Sequence, residues 1–251
     1  MVFGFSAKDK AKQEYSTIQS AYDKILNTFP YTDELAKGKL PWANLQNLIS
    51  QYWLVVGNFP VYLKNLANKA ELEKIKNSQY SGQYNAALDW LGESIPEEKQ
   101  HRELWEWWAK ESDVSLGGAN YVPEMVALHK HLMEISSSEY VPFVQAIGQV
   151  SVGIEGATGI LIKRVYDKIL IVHELANGKK LSARGKMWLE VHYKEDLDKH
   201  PVEALHFVRS FMQSQEQYQK IVNEILRTVE LYYSAFNAAA SRPYEAYDKA
   251  A

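Results

Sequence analysis

From Trp42 onward the apolar residues recur in steps of three and four: Leu45, Leu48, Ile49, Tyr52, Val55, Val56, Phe59, Leu63 and Leu66. That period puts them on one face of a long α-helix, which must find a partner surface along its whole length. Pro60 falls inside the stripe, and because the pattern continues beyond it the spacing predicts a kink and not an end. "GKLP" at 38–41 supplies the start, a glycine stop for the preceding helix and then a proline near a first turn. A second stripe, from Leu205 and Val208 through Phe211, Met212, Ile221, Ile225 and Val229 to Phe236, predicts another long helix over 202–236. Pro201 marks a break just before it.

Shorter helices are predicted near 14–27, 97–111, 122–136, 140–175 and 183–199. "VSVGI" at 150–154 alternates as a strand would, but it is short and sits within a longer apolar run, so it is read as helix. The expectation is one all-α bundle over residues 1–240, with a loose tail of small and polar residues over 241–251.

Composition narrows the function. Apolar residues make up 46% of the 251, enough for a real core. The net charge is -3 and no Lys/Arg-rich run exists, so nucleic acid is not an expected partner. There is no cysteine, which removes disulfides, thiolate metal sites and cysteine nucleophiles and suits a reducing cytoplasm. The N-terminal apolar run is too short for a signal peptide, and no stretch approaches the length of a membrane span.

Three segments carry chemistry. In "LEVHYKEDLDKHPVEAL", 189–205, His192, Asp196 and His200 are spaced by four, so on one helix they would lie within about 80° of each other. Two imidazoles and a carboxylate suit Fe, Mn or Zn; the alternative is a solvated charged face. In "PEEKQHRELWEWW", 96–108, Pro96 reads as a first-turn proline with acidic residues behind it. The same segment holds Glu98 and His101 at i and i+3, a spacing used in di-iron carboxylate bundles. In "QVSVGIEGATGILI", 149–162, Glu155 is the one charge between Glu139 and Lys163, amid Gly153, Gly156 and Gly159. Either a close neighbour, backbone or ligand, requires those glycines, or Glu155 sits at an exposed edge of a tightly packed helix. His129, His131, His173 and His206 read as ordinary polar or core histidines, and "WEWW" as packing that could wall a pocket.

"FPYTDELAKGKLPWANLQNLISQYWLVVGNFPVYLKNLA", 29–67, "HRELWEWWA" and "IEGATG" together resemble the heme-oxygenase-like helical superfamily, which includes heme oxygenases, TenA thiaminases, the PQQ-synthesis oxidase and CADD-like di-iron oxidases. The resemblance covers most of the chain and implies a bundle of about seven to eight helices. Heme oxygenases hold heme by an N-terminal-helix histidine, whereas the first histidine here is His101; TenA thiaminases use a cysteine, and this chain has none. The di-iron branch remains. Its pattern assigns Glu98, His101, Glu155, His192 and Asp196 as metal ligands, with Glu93 or Glu97 as alternatives to Glu98. The family's last histidine should follow the aspartate by three, where this chain has Lys199. His200 comes one residue late, so either a local bulge turns it inward or the second site is degraded. Ile154 precedes the central glutamate, so the self-sacrificing tyrosine chemistry of CADD is not carried over.

The resemblance thus implies a non-heme oxidase or oxygenase with two irons per chain, or iron and manganese, acting on a small-molecule substrate with O2. A homodimer is admitted as its assembly; nucleic acid and membrane are not expected partners. The alternatives are a non-catalytic interaction protein with a decayed metal site and a metal-independent cofactor-biosynthesis oxidase.

Overall fold

The computed structural model describes residues 7–117, 120–194 and 199–245. Their regular structure is all helix, with no strand among the described residues: α1 (Ala7–Leu26), α2 (Pro30–Ala36), α3 (Trp42–Val56), α4 (Phe59–Lys76), α5 (Ser81–Glu111), α6 (Pro123–Ser137), α7 (Phe143–Ile147), α8 (Gly156–Asn177), α9 (Met187–Lys194), α10 (His200–Phe211) and α11 (Gln215–Ala240). A π-helical stretch, Gly148–Glu155, joins α7 to α8. None of these helices is long and apolar enough to cross a membrane.

The long stripes are each divided. α3 stops at Gly57, and Asn58 restarts the chain by accepting the amides of Val61 and Tyr62 at 2.9 and 3.2 Å. Pro60, in the first turn of α4, needs no amide hydrogen there, so the chain breaks where a kink was expected. The 202–236 stripe is interrupted at Met212, whose ψ of 128° is extended, and resumes at Ser214, whose hydroxyl caps the Gln217 amide at 3.2 Å. Both halves keep burying the same apolar residues, which is why the periodicity ran on across the breaks. Pro96 is also not a helix start: α5 runs through it from Ser81. The tail is docked as far as Tyr244, whose amide donates to Ala43 O at 2.7 Å while its hydroxyl accepts from the Ser115 amide at 2.9 Å.

α11 packs against α1, α3, α6 and the π-helical stretch, with Ile225, Val229, Tyr232 and Tyr233 buried along that face. All eight residues of the π-helical stretch are buried. A π turn widens the helix, and its carbonyls are met by side chains from neighbours. Tyr22 Oη donates to Val152 O at 2.8 Å, and Thr158 Oγ1 donates to Ile154 O at 2.8 Å. Tyr233 Oη reaches Ala157 O at 3.2 Å. The neighbour that explains Gly156 is α1: a Cβ there would stand 2.5 Å from Tyr15 Oη and 3.1 Å from Tyr22 Cε2.

Gly156→Ala is therefore expected to destabilise the fold by about 1–3 kcal/mol through overpacking. Alanine's better helix propensity, worth roughly 1 kcal/mol, acts the other way. Urea unfolding measures the balance, and a variant as stable as wild type would show that α1 yields at this contact.

Candidate metal centre

Glu98 and His101, one turn apart on α5, face the bundle interior and pair there, Glu98 Oε1 to His101 Nδ1 at 3.0 Å. His192 comes in from α9, and its ring centroid lies 4.9 Å from that of His101. Glu155, the last residue of the π-helical stretch, is 6% exposed, and His200, the first residue of α10, is 2% exposed. His200 stands between two carboxylates: Nδ1 lies 3.3 Å from Glu155 Oε2 and Nε2 lies 3.3 Å from Glu97 Oε2. Lys199 Nζ, 3.8 Å from Glu97 Oε1, balances the outer carboxylate.

Glu98, His101, Glu155, His192 and His200 are thus all buried in one region, brought there from α5, the π-helical stretch, α9 and α10. Asp196 lies outside the described residues. His192 lies in the last turn of α9 and His200 is the first residue of α10, with Lys199 before it outside helical geometry (φ -98°, ψ -80°), so His192 and His200 do not share one regular helix. The sequence offers Glu97 only as an alternative to Glu98; in the structure Glu98 turns inward to His101 and Glu97 turns to His200. Adjacent residues on a helix point about 100° apart, so spacing on α5 could not reveal that a different helix would meet the second one.

A narrow cavity adjoins these groups, lined by Tyr52, Val55, Val56, Phe59, Ile154, Thr158 and Trp188 with Glu98, Glu155 and His192. The space open to the centre of a water molecule is ≈20 Å³, about that of a single water. Tyr52 Oη and Thr158 Oγ1 lie 3.3 Å apart at its polar side. Trp188 was legible in principle, since it precedes His192 by four and shares its face. The remaining histidines serve packing and local bonds. His129 Nδ1 meets Tyr62 Oη at 2.6 Å, His131 Nε2 meets Gln149 and Thr228 at 3.1 and 3.0 Å, His173 Nε2 donates to Glu111 O at 3.3 Å, and His206 packs beside Phe207.

Burial sets the charges. It pushes the Glu155 carboxyl above the ordinary range, against the pull of the His200 imidazole. It drives His192 well below the ordinary value, helped by repulsion from His101, so His192 is neutral. His101 resists charging because it is buried, but its bond to Glu98 outweighs that and raises its pKa. His192 Nδ1–H donates to Trp188 O at 2.7 Å, which makes Nε2 the nitrogen that carries the lone pair.

No protein-family model matches the chain, and no curated protein matches it. Solved structures do. A TenA homologue from Pseudomonas syringae pv. tomato superimposes with a TM-score of 0.73 at 22% identity, covering 91% of each chain. A TenA homologue from Pyrococcus furiosus gives 0.66 at 14% identity, over 93% of this chain and 100% of that one. A domain of unknown function with a heme oxygenase-like fold from Shewanella denitrificans gives 0.64 at 19% identity, over 92% and 90%. The chain has the heme-oxygenase-like fold; at these identities the likeness establishes the fold alone.

In chelator-treated protein, the depressed His192 pKa fixes a sign. The unfolded chain takes a proton on His192 near its ordinary value of 6.5 and the folded chain does not. Stability relative to a His192→Gln variant is therefore full above that value and falls as the pH drops below it, by at most about 1.4 kcal/mol per pH unit. Urea unfolding of both proteins from about pH 7 to about pH 5 checks this. A difference independent of pH would show that His192 protonates in the folded state.

Proposed function

We propose that this protein is a non-heme di-iron, or iron–manganese, oxidase or oxygenase acting on a small organic substrate. The observation that carries the reading is the gathering of His101, His192 and His200 with Glu98 and Glu155 at one buried place, with the half-exposed Glu97 at its outer edge. That is the donor composition a pair of such ions takes in a helical bundle. Asp196 stays in the proposed ligand set.

Among the described residues no three donors already stand as a metal-binding group. They pair instead, carboxylate to histidine, as such donors do when protons stand in for cations. The donors fit the ions on a separate ground: Glu155 Oε2 is buried and accepts no hydrogen bond, its nearest basic neighbour being the His200 ring at 3.3 Å. A buried carboxylate so placed is stabilised by a cation.

When bound, the ions supply the electrons that activate O2. The chain's own residues do the rest. Trp188 fixes the His192 tautomer. Glu98, Glu155 and the outer Glu97 neutralise cation charge. Val55, Val56, Phe59 and Ile154 keep bulk water from the reacting side, while Tyr52 and Thr158 offer hydroxyls that orient a polar end. A cavity this narrow admits one small group beside the donors, so the substrate is small or only its reacting end enters. A reaction that needs a cysteine nucleophile is not open to this chain, which has none.

Protein produced with iron is expected to hold about two metal ions per chain by metal analysis. His192→Ala should lose them while keeping its helicity, and His200→Ala should leave about one. Bound metal should raise the thermal midpoint of wild type and not of His192→Ala. Uptake should weaken on acidification, because the proton His101 keeps through Glu98 must leave before a metal binds. Equal iron in wild type and His192→Ala would overturn the reading.

A further inference from the structure

Trp188 is joined to His192 twice. Its carbonyl accepts the imidazole Nδ1–H at 2.7 Å, and its indole stacks on the imidazole with centroids 3.9 Å apart and planes inclined by 27°. Behind it stand two more indoles. Trp105 meets Trp188 edge to face at 4.5 Å, Trp108 lies 5.9 Å from Trp188 with planes at 20°, and Trp105 and Trp108 are 4.9 Å apart. All three are buried.

Packing explains buried aromatic rings but not two further features. The Nε1–H groups of Trp188 and Trp108 are buried without a hydrogen-bond partner, whereas buried tryptophans ordinarily find an acceptor. Phenylalanine or leucine would fill the same space without stranding a donor. The cluster also begins in ring contact with a histidine of the proposed metal centre and runs away from it as an unbroken set of π systems.

We propose that Trp188, Trp105 and Trp108 form a one-electron relay to the metal centre, with Trp188 as the first donor. This rests on the di-iron reading above. Reducing O2 to two waters takes four electrons and four protons. Two bound ferrous ions would supply one electron each, and a substrate the other two. With no substrate in the cavity those two are missing. Trp188 then gives the third electron from its indole π system, an external one-electron reductant re-reduces it, and the indole gives the fourth; no protein bond breaks, and the four protons taken up by the reduced oxygen come from water. With no acceptor at Nε1 the oxidised indole keeps its own proton and remains a cation radical. Trp105, whose Nε1–H is held by Ile49 O at 3.2 Å, a carbonyl that takes no proton, and Trp108 share the radical by ring-to-ring electron exchange. An external one-electron reductant such as ascorbate refills the cluster. The relay consumes oxidising power that would otherwise attack the ligands.

The test uses full-length protein with ring-deuterated tryptophan, loaded with ferrous iron without oxygen, its iron content and helicity measured first. It is mixed with O2 without substrate, frozen at intervals and read by electron paramagnetic resonance, then digested and analysed by mass spectrometry. Wild type is expected to give an indole radical narrowed by the deuterium, and oxidised tryptophan in the peptide that holds Trp188. Trp188→Phe, which keeps a ring against His192, should lose the radical and accumulate oxidised His192 instead. Trp105→Phe should keep a radical, shared by Trp188 and Trp108 alone and shorter-lived, and this variant decides the matter if Trp188→Phe fails to fold or to take iron. Protein that binds no iron overturns both the di-iron reading and the relay. Iron that is bound and turned ferric by O2 with no indole radical in wild type overturns the relay alone. So does a radical unchanged in Trp188→Phe, or unchanged in lifetime in Trp105→Phe.

Discussion

A carboxylate at the centre of an apolar bundle has to be compensated, and Glu155 is that carboxylate. Leaving it charged among Ile154, Val152 and the aromatic rings would be strongly unfavourable without a positive partner. His200 brings an imidazole to 3.3 Å, and the chain is arranged to put it there: α10 starts at His200 itself, with Pro201 behind it in the first turn. Around that pair acids and imidazoles alternate, Glu97 beyond His200 and Glu98 beside His101, all but His200 on α5. Each acid is matched by an imidazole. The same alternation, with protons released, is a set of lone pairs converging on a small space.

Much of the architecture could be read from spacing, because helices that share one core repeat their apolar residues regardless of what happens between them. That is also why the breaks were invisible. α3 and α4 bury one continuous stripe on one core, so the turn at Gly57–Asn58 leaves no mark on the periodicity, and the same holds for Met212–Ser214. Pro96 misled for the opposite reason, since a strong local signal for a helix start was overridden by packing along the whole of α5.

At the site, Glu98 with His101 was legible because both lie on one helix, and Glu155 because a lone charge in an apolar run demands a reason. The meeting of His192 with His101, and of His200 with Glu97, was not, for these are contacts between helices and no periodicity within one segment encodes them. The family resemblance pointed to His101 and His192, while His200 departed from its pattern and Glu97 stood only as an alternative to Glu98. The π turn was hidden most fully. Every residue from Gly148 to Glu155 is buried, so an extra residue in the turn disturbs no pattern of inside and outside.

That extra residue has a genetic meaning. A π turn is an α-helix with one residue inserted, and here Tyr22 and Thr158 occupy carbonyls that a regular helix would have used for itself. Removing a single codon between Gly148 and Glu155 would let the backbone close into ordinary turns and rotate the segment before the deletion by about 100° relative to the one after it. Either α7 would lose its seat in the bundle or Glu155 would leave the centre. The step between a plain helical bundle and one that holds a central acid is therefore an indel and not a substitution, open to a lineage in one event and as easily reversed.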